Sequence, residues 1–216
     1  TAIPAPAVCN TIWTGFAVFS FTRYPCCCKA SRFSFSHRPS PATHSSTSRC
    51  ASGTLFLDRD GVINVLRPHD YVKSWDEFEF TDGAIEALRM LSPLFRHIVV
   101  VTNQRGVGKG VMTEGALRTI HRKMIEAVAA GGGRIDAVYY CADRNEDSPN
   151  RKPNTGMALQ ARKDFPNIDF SKTILVGDSD SDMEFGRRIG ARTVLIHPDD
   201  PSAAFGSLYD FSLRYC

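Results

Sequence analysis

The sequence predicts an α/β domain built on a parallel sheet that is covered by helices on both faces. Apolar segments of strand length alternate with segments of helical periodicity through most of the 216 residues. The strand segments are continuous apolar runs, which is typical of strands buried on both faces. Polar clusters follow these runs. Because ligands bind at the carboxyl ends of the strands in such sheets, the pattern also predicts a functional site at that edge.

The first 53 residues differ in composition from the rest. They contain no acidic residue, five of the seven cysteines and five of the 26 lysines and arginines, which leaves 21 basic against 23 acidic residues and a formal charge of −2 for the remainder. We therefore expect residues 1–53 to be a disordered leader or a non-native N-terminal extension, and residues 54–216 to form the folded domain. The charge of the folded domain indicates no nucleic-acid partner.

Two interpretations of the leader stay open. A serine- and arginine-containing segment without acids resembles an organelle transit peptide, whereas a chain that begins with Thr1 is also what a fragment or an upstream translation start would give. The apolar run 12–21 is too short to span a bilayer, which takes about 20 residues. The adjacent Cys26, Cys27 and Cys28 suit neither a zinc site nor a disulfide framework. We expect a cytoplasmic protein with no membrane partner.

The first strand of the domain leads into the central motif. The apolar residues 55–57 are followed by Asp58, Arg59, Asp60 and Gly61. Side chains alternate along a strand, so Asp58 and Asp60 can point the same way while Gly61 allows a sharp turn. Paired carboxylates can hold a hard cation and leave one acid as nucleophile or proton donor. The alternative is a strand that ends in an acidic turn.

The later elements follow in alternation. Residues 65–80 are polar and aromatic and are interpreted as a loop or small hairpin flap, too short for a separate cap domain. Residues 102–110 combine a hydroxyl, two amides and a glycine-rich basic loop. Periodicity and caps predict helices over 84–91, 113–128, around 157–161 and over 183–189, and strands over 98–101, 135–140, 173–176 and 193–196.

Simple explanations exist for each later cluster alone. Thr102 could be a cap, Lys152 a solvated lysine, and residues 178–182 a helix-capping turn. Together with Asp58 and Asp60, however, they supply in order a nucleophile, a second acid, a hydroxyl, a lysine and a metal-binding carboxylate. In that order the chain resembles the haloacid dehalogenase (HAD) superfamily of phosphatases, subfamily IIIA, over residues 54 to about 197.

Within that superfamily the chain looks most like the D-glycero-D-manno-heptose 1,7-bisphosphate 7-phosphatase and histidinol-phosphate phosphatase families. The residues that carry the resemblance form short motifs. They are DRDGVIN at 58–64, YV at 71–72, VTNQ at 101–104, YYC at 139–141, RKP at 151–153 with GM at 156–157, and VGD at 176–178 with DM at 182–183.

The resemblance implies a fold and a reaction. The fold is a three-layer Rossmann-like domain with a five-stranded parallel sheet of order 3-2-1-4-5 and no separate cap domain. The reaction is magnesium-dependent hydrolysis of a small sugar phosphate through an aspartyl phosphate. Asp58 would be the nucleophile, Asp60 the general acid and base, and Thr102 and Lys152 the phosphoryl-binding residues. Asp178 would complete the metal site with Asp58 and the Asp60 backbone carbonyl. The implied substrate-binding residues are His69, Asp70, Tyr71, Asn103, Gln104, Arg105, Lys109 and Arg151.

The chain departs from the family pattern in two places. Family members often carry a zinc loop of Cys-x-His and Cys-x-Cys, of which only Cys141 is present here, so we expect no zinc because a structural site needs about four ligands. Ser179 stands where some relatives have lysine, which affects the finer geometry of the metal site.

Several functions remain possible at this stage. The basic residues Arg105, Lys109 and Arg151 suit a substrate with a second anionic group and would repel the amine of histidinol phosphate, which favours the heptose bisphosphate. The alternatives are a phosphatase for histidinol phosphate or another small phosphometabolite, a nucleic-acid end phosphatase, and a silent phosphate-binding protein. The sequence gives no oligomeric state.

Overall fold

A central sheet organises the computed structural model, which describes residues 10–13 and 53–216. Its parallel strands are β2 (Thr54–Leu57), β3 (His97–Asn103), β4 (Ala137–Cys141), β5 (Thr173–Gly177) and β6 (Arg192–Leu195). They lie in the order β4-β3-β2-β5-β6. Counted along the domain, this is the order 3-2-1-4-5, and the expected fold is confirmed.

A sixth strand extends the sheet at one edge. β1 (Asn10–Trp13) pairs antiparallel with β4, from Asn10 opposite Tyr140 to Trp13 opposite Ala137. The sequence analysis predicted no strand in the leader. Thr, Ile and Trp favour extended structure, and the outer edge of β4 offers backbone groups for pairing. The other leader residues on which expectations rested, including the three adjacent cysteines, lie outside the described residues.

Helices cover both faces of the sheet. On one face lie α1 (Ala84–Leu91), α3 (Glu114–Ala130) and α6 (Leu208–Tyr215), which pack with Leu55 and Leu57. On the other lie α4 (Gly156–Asp164) and α5 (Asp180–Ile189), which pack with Phe56. Successive residues of β2 therefore enter opposite cores, as a fully buried strand requires. The short α2 (Arg105–Gly108) occupies the predicted glycine-rich loop. The C-terminal α6 was not predicted.

The flap expected at 65–80 is a loop whose two ends are joined. Asn64 forms an isolated antiparallel bridge with Phe80, and Val65 N–H donates to the Glu79 carbonyl at 2.9 Å. Inside the loop the rings of Trp75 and Phe78 stack with centroids 5.0 Å apart. The flap is thus anchored beside the end of β2. In the part of the chain that the structure describes, no helix has the length and apolar character needed for crossing a membrane.

Candidate active site

A cavity of about 280 Å³ opens at the carboxyl edge of the sheet, under the flap. Parallel strands end together there, which brings side chains from distant parts of the sequence to one place. Seven of the predicted site residues line this cavity. They are Asp58, Asp60, Asp70, Tyr71, Asn103, Lys152 and Asp178. Arg67, Ser179 and Ser181 line it as well and were not among the predicted site residues.

Asp58 stands directly after β2 and is fixed to the neighbouring strand. Its N–H donates to the Val176 carbonyl at 3.0 Å, and its Oδ1 lies 2.8 Å from Lys152 Nζ. Burial raises the pKa of Asp58 to about 7, against the opposing influence of the Lys152 charge. The neighbouring carboxylates that add to this rise are Asp182, Asp178 and Asp60. The Asp58 carboxyl therefore ionises at a low cost in free energy only when further positive charge is close to it.

Lys152 is a buried lysine, not a solvated one. Its side chain lies between two carboxylates, with Nζ at 2.8 Å from Asp58 Oδ1 and 2.5 Å from Asp182 Oδ1, and it donates to the Val101 carbonyl at 2.8 Å. Burial lowers the pKa of Lys152, but the two carboxylates outweigh it and raise the pKa overall. Asn103 fixes the lysine backbone, because its side chain accepts from Lys152 N–H at 3.0 Å and donates to Lys152 C=O at 3.2 Å.

Three carboxylates form a group that fits a metal ion. Oxygens of Asp58, Asp178 and Asp182 all lie within 4.8 Å of one another. Asp182 is fully buried, and its two oxygens already accept hydrogen bonds from Lys152 and from Ser179 Oγ. Burial, followed by the charge of Asp182, raises the pKa of Asp178 to about 6. Asp58 and Asp178 are therefore the carboxylates best placed to bind a hard cation, with Asp182 as the counterion of Lys152.

Gly61 allows Asp178 to reach this group. Its φ angle is +81°, in the left-handed region that favours glycine, and a Cβ atom added there would collide with Asp178 Oδ2. Asp178 belongs to the loop after β5, so the glycine determines how closely the ends of β2 and β5 approach. The motif glycine thus has a role at the metal group as well as in the turn.

Asp60 accepts four hydrogen bonds. Arg59 Nη2 donates to its Oδ1 at 2.8 Å and to its Oδ2 at 3.0 Å. Asn64 donates to Oδ1 at 3.0 Å, and Gln104 donates to Oδ2 at 2.7 Å. Burial would raise the pKa of Asp60, but the Arg59 charge and these hydrogen bonds outweigh it and lower the pKa. The Asp60 carboxylate is not part of the group formed by Asp58, Asp178 and Asp182, and a contribution of its backbone carbonyl to a metal site stays a prediction.

The remaining predicted residues are arranged around this centre. Thr102 is buried and accepts from Gln104 Nε2 at 2.9 Å, so Gln104 connects Thr102 with Asp60. The Lys109 ammonium lies 5.2 Å from the centre of the Tyr71 ring. Asp70 pairs with Lys73 at 2.6 Å. His69 is exposed, with a φ angle of 62°. The predicted residues outside the cavity wall are His69, Thr102, Gln104, Arg105, Lys109 and Arg151.

Two of the predicted substrate-binding residues are arginines, Arg105 at the start of α2 and Arg151 next to Lys152 in the sequence. Arg105 pairs with Glu146 at 3.4 Å and donates to the Arg144 carbonyl at 3.2 Å. Buried nitrogens of both arginines, Arg105 Nε and Arg151 Nη1, have no hydrogen-bond partner in the described structure. Burial, followed by repulsion from Arg105, lowers the pKa of Arg151. These unsatisfied donors suit an anion.

Members of the family that the sequence resembles often carry a zinc loop in the segment that begins at Cys141. In this chain, side-chain contacts connect the two ends of that segment. The Cys141 thiol lies 3.8 Å from both Asp143 Oδ2 and Ser148 Oγ, and Ser148 donates to Asp143. Burial raises the pKa of the Cys141 thiol, which disfavours the thiolate that a metal requires. The absence of zinc stays a prediction, which elemental analysis of the purified protein would check.

Several residues of the site were not predicted. Asp182 had a detectable signal, because it stands three residues after Ser179 in the first turn of α5, where the two side chains form a capping box. Arg59 had no such signal in the sequence, since its neighbours do not show whether its side chain faces solvent or the core. It is 1% exposed, and its partner His121 comes from the middle of α3.

Comparisons with known proteins agree with this geometry. A family model described as HAD-hydrolase-like matches residues 149–203. The D-glycero-β-D-manno-heptose-1,7-bisphosphate 7-phosphatase of Pasteurella multocida is 39% identical over 157 residues, which cover 68% of this chain and 83% of that protein. The D-glycero-α-D-manno-heptose-1,7-bisphosphate 7-phosphatase of Mycobacterium bovis is 41% identical over 138 residues, which cover 63% of this chain and 73% of that protein.

Solved structures give the same result. The D,D-heptose 1,7-bisphosphate phosphatase of B. bronchiseptica, complexed with magnesium and phosphate, superposes with a TM-score of 0.68 and 27% identity over 76% of this chain and 97% of that one. The corresponding enzyme of Burkholderia thailandensis has a TM-score of 0.55 and 30% identity over the same shares. The chain therefore belongs to the HAD superfamily of hydrolases and, within it, to the family of D-glycero-D-manno-heptose 1,7-bisphosphate 7-phosphatases.

Proposed function

We propose that this protein hydrolyses D-glycero-D-manno-heptose 1,7-bisphosphate at the 7-position through an aspartyl phosphate on Asp58. The observation that carries the proposal is the position of Asp58, which faces the cavity with Lys152 at 2.8 Å and Asp178 close by. A nucleophile, a cation and a metal-binding acid thus meet at one strand end. The identity to curated phosphatases named for this substrate supports the same assignment.

In the first half of the reaction, Asp58 attacks phosphorus and the bond to the sugar oxygen breaks. Attack by one anion on another is opposed by charge repulsion, which the Lys152 ammonium reduces. Gln104 donates to Thr102 Oγ1, so the threonine can donate its own hydrogen to a phosphoryl oxygen. Asp60 is the acid placed to give a proton to the departing sugar oxygen. Arg59 and the amides lower its pKa in the free enzyme, so the negative charge of the bound phosphate has to raise that pKa for Asp60 to carry the proton.

In the second half, water releases phosphate from Asp58. Asp60 has become a carboxylate by giving up its proton, and it now takes a proton from the attacking water. Asn64, Gln104 and Arg59 stabilise that carboxylate and keep its orientation. One acid therefore serves both halves, as acid and then as base.

Asp58 and Asp178 would hold Mg²⁺, together with the Asp60 backbone carbonyl. Their fit to a divalent ion rests on two carboxylates whose pKa values are raised by burial and mutual repulsion. Oxygen ligands of this kind suit Mg²⁺. When bound, the ion neutralises charge on the nucleophile and the phosphoryl group.

The second phosphate explains the two arginines. Arg105 Nε and Arg151 Nη1 are buried donors without partners in the described residues, and a phosphate between the two side chains would satisfy both and reduce their repulsion. Binding energy at this distal position can orient the reacting phosphate. Histidinol phosphate offers an ammonium group there.

Substrate competition tests this proposal. We expect kcat/KM for the heptose bisphosphate to exceed that for histidinol phosphate at least about tenfold, or roughly 1.4 kcal/mol. Both anomers of the bisphosphate should be assayed, because relatives are named for each. Arg151→Ala should reduce the difference, mainly by slowing the bisphosphate reaction. Equal or reversed preference in the unmodified enzyme would defeat the substrate assignment.

A further inference from the structure

Asp60 needs a fixed direction to serve as an acid, and Arg59 supplies two of the four hydrogen bonds that orient it. A single nitrogen of the guanidinium, Nη2, contacts both oxygens of the Asp60 carboxylate. Arg59 is 1% exposed, so water does not hold it in place. The orientation of Asp60 therefore depends on what holds the other end of the arginine.

The other end is held by a histidine from a helix. Arg59 Nη1 lies 3.1 Å from Nε2 of His121, which is fully buried in α3 and lies 62 positions further along the chain. A guanidinium has donors only, so Nε2 must be the acceptor and His121 must be the neutral tautomer with its hydrogen on Nδ1. A protonated imidazole would point its Nε2–H at the N–H group of Arg59, so that two donors would face each other.

The ring of Tyr140 packs against His121 at an angle of 61°, with centroids 5.5 Å apart. The Tyr140 hydroxyl donates elsewhere, to Glu114, which pairs with Arg118. His121 Nδ1 is buried without a hydrogen-bond partner among the described residues, so the Arg59 contact is the hydrogen bond that orients the ring. Burial, reinforced by the Arg59 charge, lowers the pKa of His121 well below its usual value. The imidazole is thus a buried, neutral acceptor that faces a buried cation.

We propose that His121 is a positioning residue for the phosphatase reaction, which directs Arg59 and, through it, the Asp60 carboxyl toward the leaving oxygen. The inference rests on the proposed function, because it concerns the proton that Asp60 gives up. His121 touches neither substrate nor metal. A side chain that merely fills the core would explain its burial but would not require an acceptor at Nε2.

The leaving group of the substrate distinguishes a positioning role of His121 from a packing role. A sugar alkoxide is a strong base and needs a proton in order to leave, whereas a nitrophenolate is a weak base and leaves without one. Departure of the alcohol or phenol is included in kcat/KM, and release of phosphate from Asp58 follows it. A misdirected Asp60 should therefore lower kcat/KM for a sugar phosphate far more than for p-nitrophenyl phosphate.

The experiment compares these two substrates in variants of the full chain with Mg²⁺ present. His121→Met replaces the imidazole nitrogen with a thioether, which is only a weak acceptor, and keeps a side chain of similar size. His121→Gln places an amide oxygen where the histidine has Nε2. Tyr140→Phe is the matched control, because it keeps the ring against His121 and removes only the hydroxyl that faces Glu114.

We expect His121→Met to lower kcat/KM for the heptose bisphosphate, or for a hexose 6-phosphate, by about ten- to hundredfold. Its kcat/KM for p-nitrophenyl phosphate should change by less than about threefold. His121→Gln should recover most of the loss, and Tyr140→Phe should leave both substrates nearly unchanged. If His121→Met does not fold, as judged by its thermal transition, His121→Asn serves instead, since its shorter amide cannot reach Arg59.

Three outcomes would overturn the inference. One is an equal loss on both substrates in a folded variant, and another is no loss on either. The third is a His121→Gln enzyme that is no better than His121→Met, or than His121→Asn where that variant replaces it. If the unmodified enzyme hydrolyses neither substrate, the proposed function itself fails, so the two failures are distinguishable.

Discussion

At the residue scale, the site depends on how closely a few groups approach one another. Asp58 and Asp178 have raised pKa values, to about 7 and about 6, because burial and neighbouring carboxylates disfavour their charged forms. Asp60 lies between them in sequence, but its pKa is lowered, since Arg59 and two amides donate to it. The three acids therefore have different environments, which suits different tasks in one reaction.

The role of Gly61 can be tested by adding a methyl group. Gly61→Ala would force the left-handed backbone on a residue with a Cβ and push Asp178 away from Asp58. Gly190→Ala is the matched control, because Gly190 has a φ angle of +77° and nothing within 4 Å of an added Cβ. Both should lose about 1 kcal/mol of stability.

Only Gly61→Ala should also raise the Mg²⁺ concentration needed for half-maximal activity, by about tenfold, or 1.4 kcal/mol. A magnesium titration of the two variants beside the unmodified enzyme would check this. The same magnesium requirement in all three proteins would contradict the role assigned to Gly61.

His121 makes a separate prediction for stability against pH. Its folded-state pKa is lowered well below the ordinary value of about 6.5, so below that pH the unfolded chain binds a proton that the native state does not. Stability is then lost as pH falls, by at most about 1.4 kcal/mol per pH unit from this group. Urea unfolding between pH 7 and pH 5 should show a shallower dependence in His121→Gln. Identical slopes would argue against a buried neutral imidazole.

At the element scale, the strands were the part most readily predicted from sequence. Continuous apolar runs between polar clusters identified all five parallel strands, and α1 has the predicted bounds because its ends are marked by Gly83 and by the loss of periodicity. α5 begins earlier than predicted, at Asp180, because the acidic run, interpreted either as a metal site or as a helix-capping turn, does cap the helix. Acidic side chains can either bind a metal ion or cap a helix, so the sequence alone does not separate these two uses before α5.

The side-chain contacts that were not predicted from the sequence have a common cause. Arg59 and His121 lie in different elements, and only the packing of α3 against the sheet brings them together. Lys152 lies before the start of α4 and Asp182 lies in α5, so only the tertiary fold makes them partners. Local patterns predict which residues can carry chemistry, but the tertiary fold determines which of them meet.

At the scale of the whole molecule, net charge matters less for substrate binding than the positions of a few cationic side chains. Residues 54–216 have a slight excess of acids, so the net charge of this domain does not attract a bisphosphate. Lys152 lines the cavity, and Arg105 and Arg151, outside the cavity wall, carry buried donors without partners among the described residues. Affinity for an anionic substrate should therefore depend on these groups and on the bound metal ion.

Phosphorus NMR can follow hydrolysis of the heptose 1,7-bisphosphate by the unmodified enzyme and by Asp58→Asn. We expect the unmodified enzyme, with Mg²⁺, to release the 7-phosphate and leave the heptose 1-phosphate. Asp58→Asn should keep the fold but lose at least about a thousandfold in rate, since an amide is a very poor nucleophile. A folded Asp58→Asn enzyme with unchanged turnover would rule out Asp58 as the nucleophile, and release of the 1-phosphate would rule out the 7-position.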